Sequence, residues 1–291
     1  MRRSRLSVAA LAIAVSVAGL SATRAEAAPA PPGGRILTLA VTAERGSGEL
    51  RSVRPDGSGA YAYSLRLSWW AGPDYSPDGS RIAYADWMEV WAMNADGTNA
   101  QNLVGGPCAP ESPRWSPDAR WIAFESCGDI YKVSAKGYAS GFVNLTNDDL
   151  YTLRAAWSPL GARIATAGPS GVYLYRADGT GAPRRVSDLP DATRLDWSPD
   201  GRTLAVAAGD DLWTVDLPTG ARRRMTDTPG VIERHPVWSP DGRWLAFSRG
   251  PEDPNDPGVA LTPEVWLTTA AGTHSHSTGV LGIPTSWRFQ P

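Results

Sequence analysis

The sequence predicts an all-β fold: a six-bladed β-propeller of four-stranded antiparallel blades, closed when the C-terminal strand joins the N-terminal blade. Three observations carry this expectation. A turn string built around Ser-Pro-Asp-Gly recurs along the chain at near-constant spacing. Gly and Pro are abundant, at 30 and 25 of 291 residues, as a chain of many tight turns requires. Trp occurs 13 times, which calls for a repeating structural slot.

The chain opens with a segment that reads as an export signal. Arg2, Arg3 and Arg5 give a positive start, residues 6–20 form an apolar run, and Ala25-Glu26-Ala27 supplies a small-x-small cleavage pattern. Cleavage is expected after Ala27 or Ala28. The competing reading is a membrane anchor, which the run is too short to favour, since about 20 apolar residues are needed to span. The sequence thus divides into a signal peptide (1–27), a linker (28–34) and a propeller (35–291). Loss of Arg2, Arg3, Arg5, Arg24 and Glu26 from 28 basic and 30 acidic residues leaves 24 and 29, a net charge of −5. No basic stripe is visible, so nucleic acid and anionic lipid are poor candidate partners.

The repeat is explicit. DYSPDGSRIAY begins at Asp74, RWSPDARWIAF at Arg114, AWSPLGARIAT at Ala156, DWSPDGRTLAV at Asp196 and VWSPDGRWLAF at Val237. The aromatics in register, Tyr75, Trp115, Trp157, Trp197 and Trp238, are 40, 42, 40 and 41 residues apart. In each unit Pro presets φ, Asp bonds back to the backbone and Gly takes positive φ, joining a first strand to a second. The second strand is the IAY or LAF segment. The third is EVWAMNADG from Glu89, DIYKVSAKG from Asp129, GVYLYRADG from Gly171, DLWTVDLPTG from Asp211 or EVWLTTAAG from Glu264. Its terminal turn leads into a fourth. Such a meander has two apolar faces, and stacking blades around an axis buries both.

The two ends of the chain supply the sixth blade. Residues 36–41, 49–57 and 61–67 fit a second, third and fourth strand without a first. At the other end, Trp287 stands in first-strand register and the sequence then stops. Blade 1 is therefore expected from residues 35–67 plus 284–291, and the closure removes exposed sheet edges. Residues 250–263 are a Pro- and acid-rich insertion between the second and third strands of blade 6.

The W-S-P-D-G, I-A-F, I-W and A-D-G elements resemble the TolB-type, WD-repeat-like propeller family over nearly all of the mature chain. The resemblance implies a protein-interaction platform with a protein partner, of the cell envelope or extracellular space, before a small molecule. Departures are local: Ala119 replaces Gly, Leu160 and Lys136 replace Asp, and Arg51 replaces a third-strand aromatic.

Chemistry-bearing residues are few. Asp78, Asp118, Asp200 and Asp241 sit one per blade in turns, too far apart to share an ion, and read as turn caps. No G-x-S-x-G elbow occurs, and closure at the C-terminal strand leaves no segment for the hydrolase domain that follows similar propellers in prolyl-oligopeptidase-type enzymes. His274 and His276 alternate along a strand and read as a solvated edge; a metal pair would lack a third ligand. His235 stands three residues before Trp238, as Arg194 stands before Trp197 and Arg154 before Trp157. Gly72, Ser112 and Pro284 hold that position in the other blades. Arg154, Arg194 and His235 are thus the candidate ligand-binding row, presented to one end of the channel, where a small carboxylate or sulfate would bind. The alternative is that they pair with acids such as Asp196 or Glu233 and fix loops. Cys108 and Cys127, the only cysteines, precede the first and follow the second strand of one blade, so a disulfide between them is expected.

No cofactor, metal or catalytic residue is expected. The function read from the sequence is a secreted, monomeric, non-catalytic scaffold for protein or ligand binding, with no membrane span after cleavage. Its contact face carries residues 105–112, residues 250–263 and the row holding His235. The alternative is an enzyme at the channel mouth, such as a lyase for acidic polysaccharide; such sites cluster His, and of the three His here only His235 is placed for it.

Overall fold

The computed structural model describes residues 33–41, 46–105, 108–137, 141–148, 150 and 153–289. The proposed signal peptide and most of the linker lie outside these residues. Among the described residues the strands form six antiparallel sheets. Blade 2 contains Asp74–Tyr75, Arg81–Asp86, Glu89–Asn94 and Gln101–Gly105 from the axis outward. Blade 3 contains Glu111–Trp115, Trp121–Ser126, Asp129–Ser134 and Phe142–Asn144. Blade 4 is Leu153–Trp157, Arg163–Gly168, Gly171–Arg176 and Arg184–Ser187. Blade 5 is Ala192–Trp197, Thr203–Ala208, Asp211–Asp216 and Arg222–Arg224. Blade 6 is Val231–Trp238, Trp244–Asp253, Glu264–Thr269 and Ser275–Leu281. Its insertion folds back as a hairpin, Asp256–Ala260 pairing with the end of Trp244–Asp253.

Blade 1 is made from both ends of the chain. Ile283–Arg288 is its innermost strand, followed by Arg35–Val41, Ser47–Val53 and Tyr61–Ser68. Ile36 pairs with Trp287 and Leu37 with Ser286. The innermost strands then touch one another in a closed cycle, blade 6 meeting blade 1 and blade 1 meeting blade 2. The core is distributed between blades: Ile36, Val53 and Trp287 pack with Val237, Trp244, Ala246 and Val265 across the closure.

The turn chemistry repeats in four of the blades. Ser76 Oγ donates to Asp78 Oδ1 at 2.6 Å and accepts from the Arg81 N–H at 2.9 Å, while Asp78 Oδ1 accepts from the Ser80 N–H at 3.1 Å. Ser116 and Asp118, Ser198 and Asp200, and Ser239 and Asp241 repeat this relay. The hydroxyl bond to Ser76, Ser116 or Ser198 is the main reason that Asp78, Asp118 and Asp200 sit below the usual carboxylate range. Where Leu160 stands in place of the Asp, Ser158 Oγ instead accepts from the Leu160 N–H.

A second relay joins blades near the axis. In three blades the residue before the aromatic reaches the next blade: Asp74 accepts from the Trp115 N–H at 2.9 Å, Asp196 from the Trp238 N–H at 2.8 Å, and Ser286 Oγ from the Tyr75 N–H at 3.2 Å. Cys108 and Cys127 form a disulfide with Cα atoms 5.4 Å apart, tying the entry of blade 3 to its second-to-third-strand turn.

Two outcomes follow from this packing. Trp287 is fully buried in the closure core. Trp287→Ala is therefore expected to lower unfolding free energy by about 3–5 kcal/mol in urea denaturation; a loss under 1 kcal/mol would show that the closing strand is dispensable. Ala119 takes φ 57° in the turn position where Gly79, Gly201 and Gly242 take 70–72°. Ala119→Gly is expected to raise stability by about 0.5–1 kcal/mol, because an L side chain is strained there and glycine is not. A lowered denaturation midpoint would contradict it.

Candidate functional site

One end of the channel is bounded by the loops that enter each blade and by the second-to-third-strand connections. In five of the six blades the innermost strand has a register break near this end. In blades 3, 4 and 6 two residues face one on the neighbouring strand: Ser112 and Pro113, Arg154 and Ala155, His235 and Pro236. The first residue of each pair has a left-handed backbone, at φ 47°, 56° and 59°. Gly72 has φ 46° at the equivalent point of blade 2. A β-bulge of this kind re-aims a side chain out of the regular alternation. Here the re-aimed residue is the third before the aromatic.

Blade 5 differs. Its irregularity lies between Ala192 and Arg194, so Thr193 is the extra residue and Arg194 remains in the ladder opposite Ala207. Equal sequence offset therefore does not mean equal backbone geometry. The structure nevertheless brings Arg154, Arg194 and His235 to one cavity of about 440 Å³. Trp69, Trp70, Leu153, Ile232 and Ile283 form much of its wall, and Val259, Ala260 and Pro263 of the blade 6 insertion complete it.

The three polar residues are held differently. Arg154 is 8% exposed and well partnered. Its Nη1 donates to Ser112 Oγ at 2.8 Å and pairs with Glu111 at 3.1 Å, and its guanidinium lies 4.8 Å from the centre of the Trp70 ring. Its backbone N–H donates to Glu125. Arg194 is equally buried but makes only a 3.4 Å hydrogen bond to the Trp69 carbonyl and, among the described residues, no ion pair. Burial, then Arg154 and Arg114, disfavour its charged form, and Glu125 and Glu111 offset this only in part. Guanidinium does not give up its proton in proteins, so the unfavourable charge remains.

His235 Nδ1 lies 2.8 Å from Ser248 Oγ, whose own proton goes to the Arg234 carbonyl at 3.0 Å. One hydroxyl proton cannot serve both, so the consistent tautomer has Nδ1–H donating to Ser248. This leaves Nε2 as an acceptor. Burial, then Arg194, Arg154, Arg234 and Arg114, holds the ring well below its ordinary pKa, so it is neutral at pH 7.

The acid partners differ from those the sequence suggested. Asp196 lies deeper, bonded to the Trp238 N–H, and burial pushes its carboxyl up to about 6. Glu233 pairs with Arg249 rather than with His235. Glu111, on the preceding blade, takes Arg154 because the bulge turns that arginine sideways. Sequence reasoning also missed Trp69 and Trp70. They lie outside the repeat string, and their only signal was an adjacent Trp pair without a repeat slot. His276 packs edge-on against Trp244, 5.7 Å away, on an exposed outer strand. Among the described residues no group of three His, Cys, Asp or Glu side chains is placed to hold a metal.

Arg194 is a buried cation that, among the described residues, makes no direct ion pair; Glu125 and Glu111 offset its charge only from a distance. Arg194→Met, which keeps the stem and removes the charge, is expected to raise unfolding free energy by about 1–4 kcal/mol. Destabilisation in the same urea titration would show that the guanidinium is compensated within the protein.

No family model matches the chain. It is 31% identical over 135 residues to Atu1656, an uncharacterized protein of Agrobacterium fabrum, covering 41% of this chain and 44% of that protein. It is 44% identical over 45 residues to the Tol-Pal system protein TolB of Anaeromyxobacter dehalogenans, 14% of this chain and 10% of that one. A 169-residue segment is 26% identical to YuxL of Bacillus subtilis, an uncharacterized peptidase, and covers 53% of this chain and 25% of YuxL. The chain thus spans less than half the length of these relatives. Among solved structures, TolB of Acinetobacter baumannii superposes with a TM-score of 0.68 at 18% identity, covering 88% of this chain and 65% of that one. A candidate TolB of Agrobacterium tumefaciens gives the same score and identity over 88% of this chain and 93% of its own. With six blades, a closing C-terminal strand and these neighbours, the chain has the TolB-type six-bladed β-propeller fold.

Proposed function

We propose that this chain is an extracytoplasmic, non-catalytic propeller that binds a protein partner through the channel mouth lined by Arg154, Arg194 and His235. The observation that carries the reading is the mouth cavity itself: about 440 Å³, largely apolar, with its polar groups supplied by separate blades. Concave, mainly apolar sites with a few placed polar groups are the usual form of binding sites. The exposed Trp70 and the blade 6 hairpin border it, and Ser112 of the predicted contact loop bonds the Trp70 carbonyl; Gly106 and Pro107 of that loop lie outside the described residues. Trp and Arg together at such a mouth have the composition of binding hot spots.

Three further points support the reading. The disulfide fits an oxidising compartment, and the first 27 residues have the pattern of an export signal. One relative is a component of the Tol-Pal system. The lyase alternative gains nothing from the geometry, since His235 is the one histidine at the mouth and no metal-binding group surrounds it among the described residues.

The test is capture of partners from the source organism's envelope fraction on immobilised residues 28–291. Trp70→Ala and Arg154→Ala at the mouth are expected to reduce capture of a specific partner at least tenfold. Leu160→Ala, on a turn at the opposite end, is expected to leave it unchanged. The reverse pattern would move the contact face to the turn end, and turnover of an acidic polysaccharide by the purified chain would refute the non-catalytic reading.

A further inference from the structure

The channel mouth contains two unsatisfied groups of complementary kinds. Arg194 is 92% buried, has five N–H donors and spends one of them on a long bond to the Trp69 carbonyl. His235 is neutral, its Nδ1–H is committed to Ser248, and among the described residues Nε2 has no hydrogen-bond partner. Both line the same cavity, and the remaining wall is mostly Trp69, Trp70, Leu153, Ile232, Val259 and Pro263.

From this arrangement we propose that the mouth is a receptor for a single carboxylate carried on an apolar body, with a neighbouring N–H or O–H donor. Arg194 takes the carboxylate and His235 Nε2 accepts from the donor. The inference deepens the reading of the mouth as a contact face and rests on it.

Each part of the ligand follows from a part of the site. One buried cation with no direct ion pair among the described residues, and with most of its N–H donors unspent, calls for one directly bound negative group. Arg154 is already neutralised by Glu111, and Glu125 lies beside it, so a dianion such as sulfate or a phosphate monoester meets two carboxylates for one free guanidinium. The planar fork of Arg194 matches a carboxylate. Nε2 cannot accept from a carboxylate, so it requires a donor next to it in the ligand. The apolar walls provide burial for a hydrocarbon or aromatic group, and about 440 Å³ is the size of a small-ligand pocket. Two sources have this chemistry. One is the C-terminal residue of a partner chain, with its free carboxylate and its own amide N–H. The other is a free N-acyl amino acid or 2-hydroxy acid.

The experiment is a titration of residues 28–291 by calorimetry with four probes: N-acetyl-phenylalanine, its C-terminal amide, 3-phenylpropionate and sodium sulfate. N-acetyl-phenylalanine is expected to bind at least tenfold more tightly than its amide and than sulfate. It is expected to exceed 3-phenylpropionate, which lacks the donor, and His235→Phe should remove that advantage. Arg194→Met should remove acid binding while the protein stays folded. A short peptide ending in free phenylalanine separates the sources: tighter binding than N-acetyl-phenylalanine identifies a chain terminus, and exclusion of the peptide identifies a free acid.

Equal affinity for acid and amide, or no binding of either, overturns the proposal, and this comparison uses only the wild-type protein. Full acid binding by Arg194→Met also overturns it. Partner capture that falls in Trp70→Ala but persists in Arg194→Met would uphold the contact face while removing the carboxylate. Capture indifferent to every mouth variant would remove the face itself.

Discussion

The pairing of Ile283–Arg288 with Arg35–Val41 is the constraint on which the rest of the structure depends. A meander of five and three-quarter blades leaves an unpaired strand edge at one end and a strand without a sheet at the other. Closure removes both and buries Trp287 between blades 1 and 6. It also turns a linear series into a ring, so that residues far apart in sequence face one axis. Ser286 shows how directly this is transmitted. Its hydroxyl donates to Asp74 at 2.7 Å and accepts from the Tyr75 N–H, while Asp74 holds the Trp115 N–H of the following blade. The final strand thus fixes blade 2 and, through it, the entry of blade 3.

Closure alone would give a channel lined by regular strand residues. The bulges decide which side chains depart from that pattern at the mouth. Ser112, Arg154 and His235 hold left-handed backbone conformations that non-glycine residues adopt at a cost of about 1–3 kcal/mol each. Three such residues at one level of one channel are held there by the surrounding sheets. Their effect is local: Arg154 is turned onto Ser112 and Glu111 of the preceding blade, and His235 onto Ser248 behind it. Arg194, in a blade whose bulge falls one residue earlier, is left without such a partner.

The contrast explains what was legible in the sequence. Five copies of a string with near-constant spacing specify blade number, strand order and turn chemistry, because each is decided by residues close together in the chain. The row Arg154, Arg194 and His235 could be read by counting back from the repeat Trp, since that distance is spanned by one strand. The ion partners could not. Whether Arg154 meets Glu111 or Asp196 depends on which way a bulge twists the backbone, and the bulge in blade 5 is displaced by one residue without a clear sequence sign. Trp69 and Trp70 escaped for a related reason. They lie in a connection between blades, where no repeat supplies a register, and only ring geometry brings them beside Arg154 and Arg194.

The channel below the mouth argues for binding at one end over passage through the ring. The next layer contains Asp74, Arg114, Asp196 and Arg288 around a cavity of about 40 Å³, room for a few water molecules. Asp74 and Asp196 are occupied in holding neighbouring blades, and Arg114 donates to the Gly72 and Pro113 carbonyls. These groups cannot move aside without releasing inter-blade bonds. A wider space of about 330 Å³ reappears only at the far end, bordered by Pro77, Pro117, Pro159, Pro199 and Pro240 of the repeat turns. The two ends are therefore separate surfaces divided by a structural layer. Ser286 and Arg288 of the strand that closes the ring therefore lie in a layer apart from Trp70, Arg194 and His235, which line the mouth.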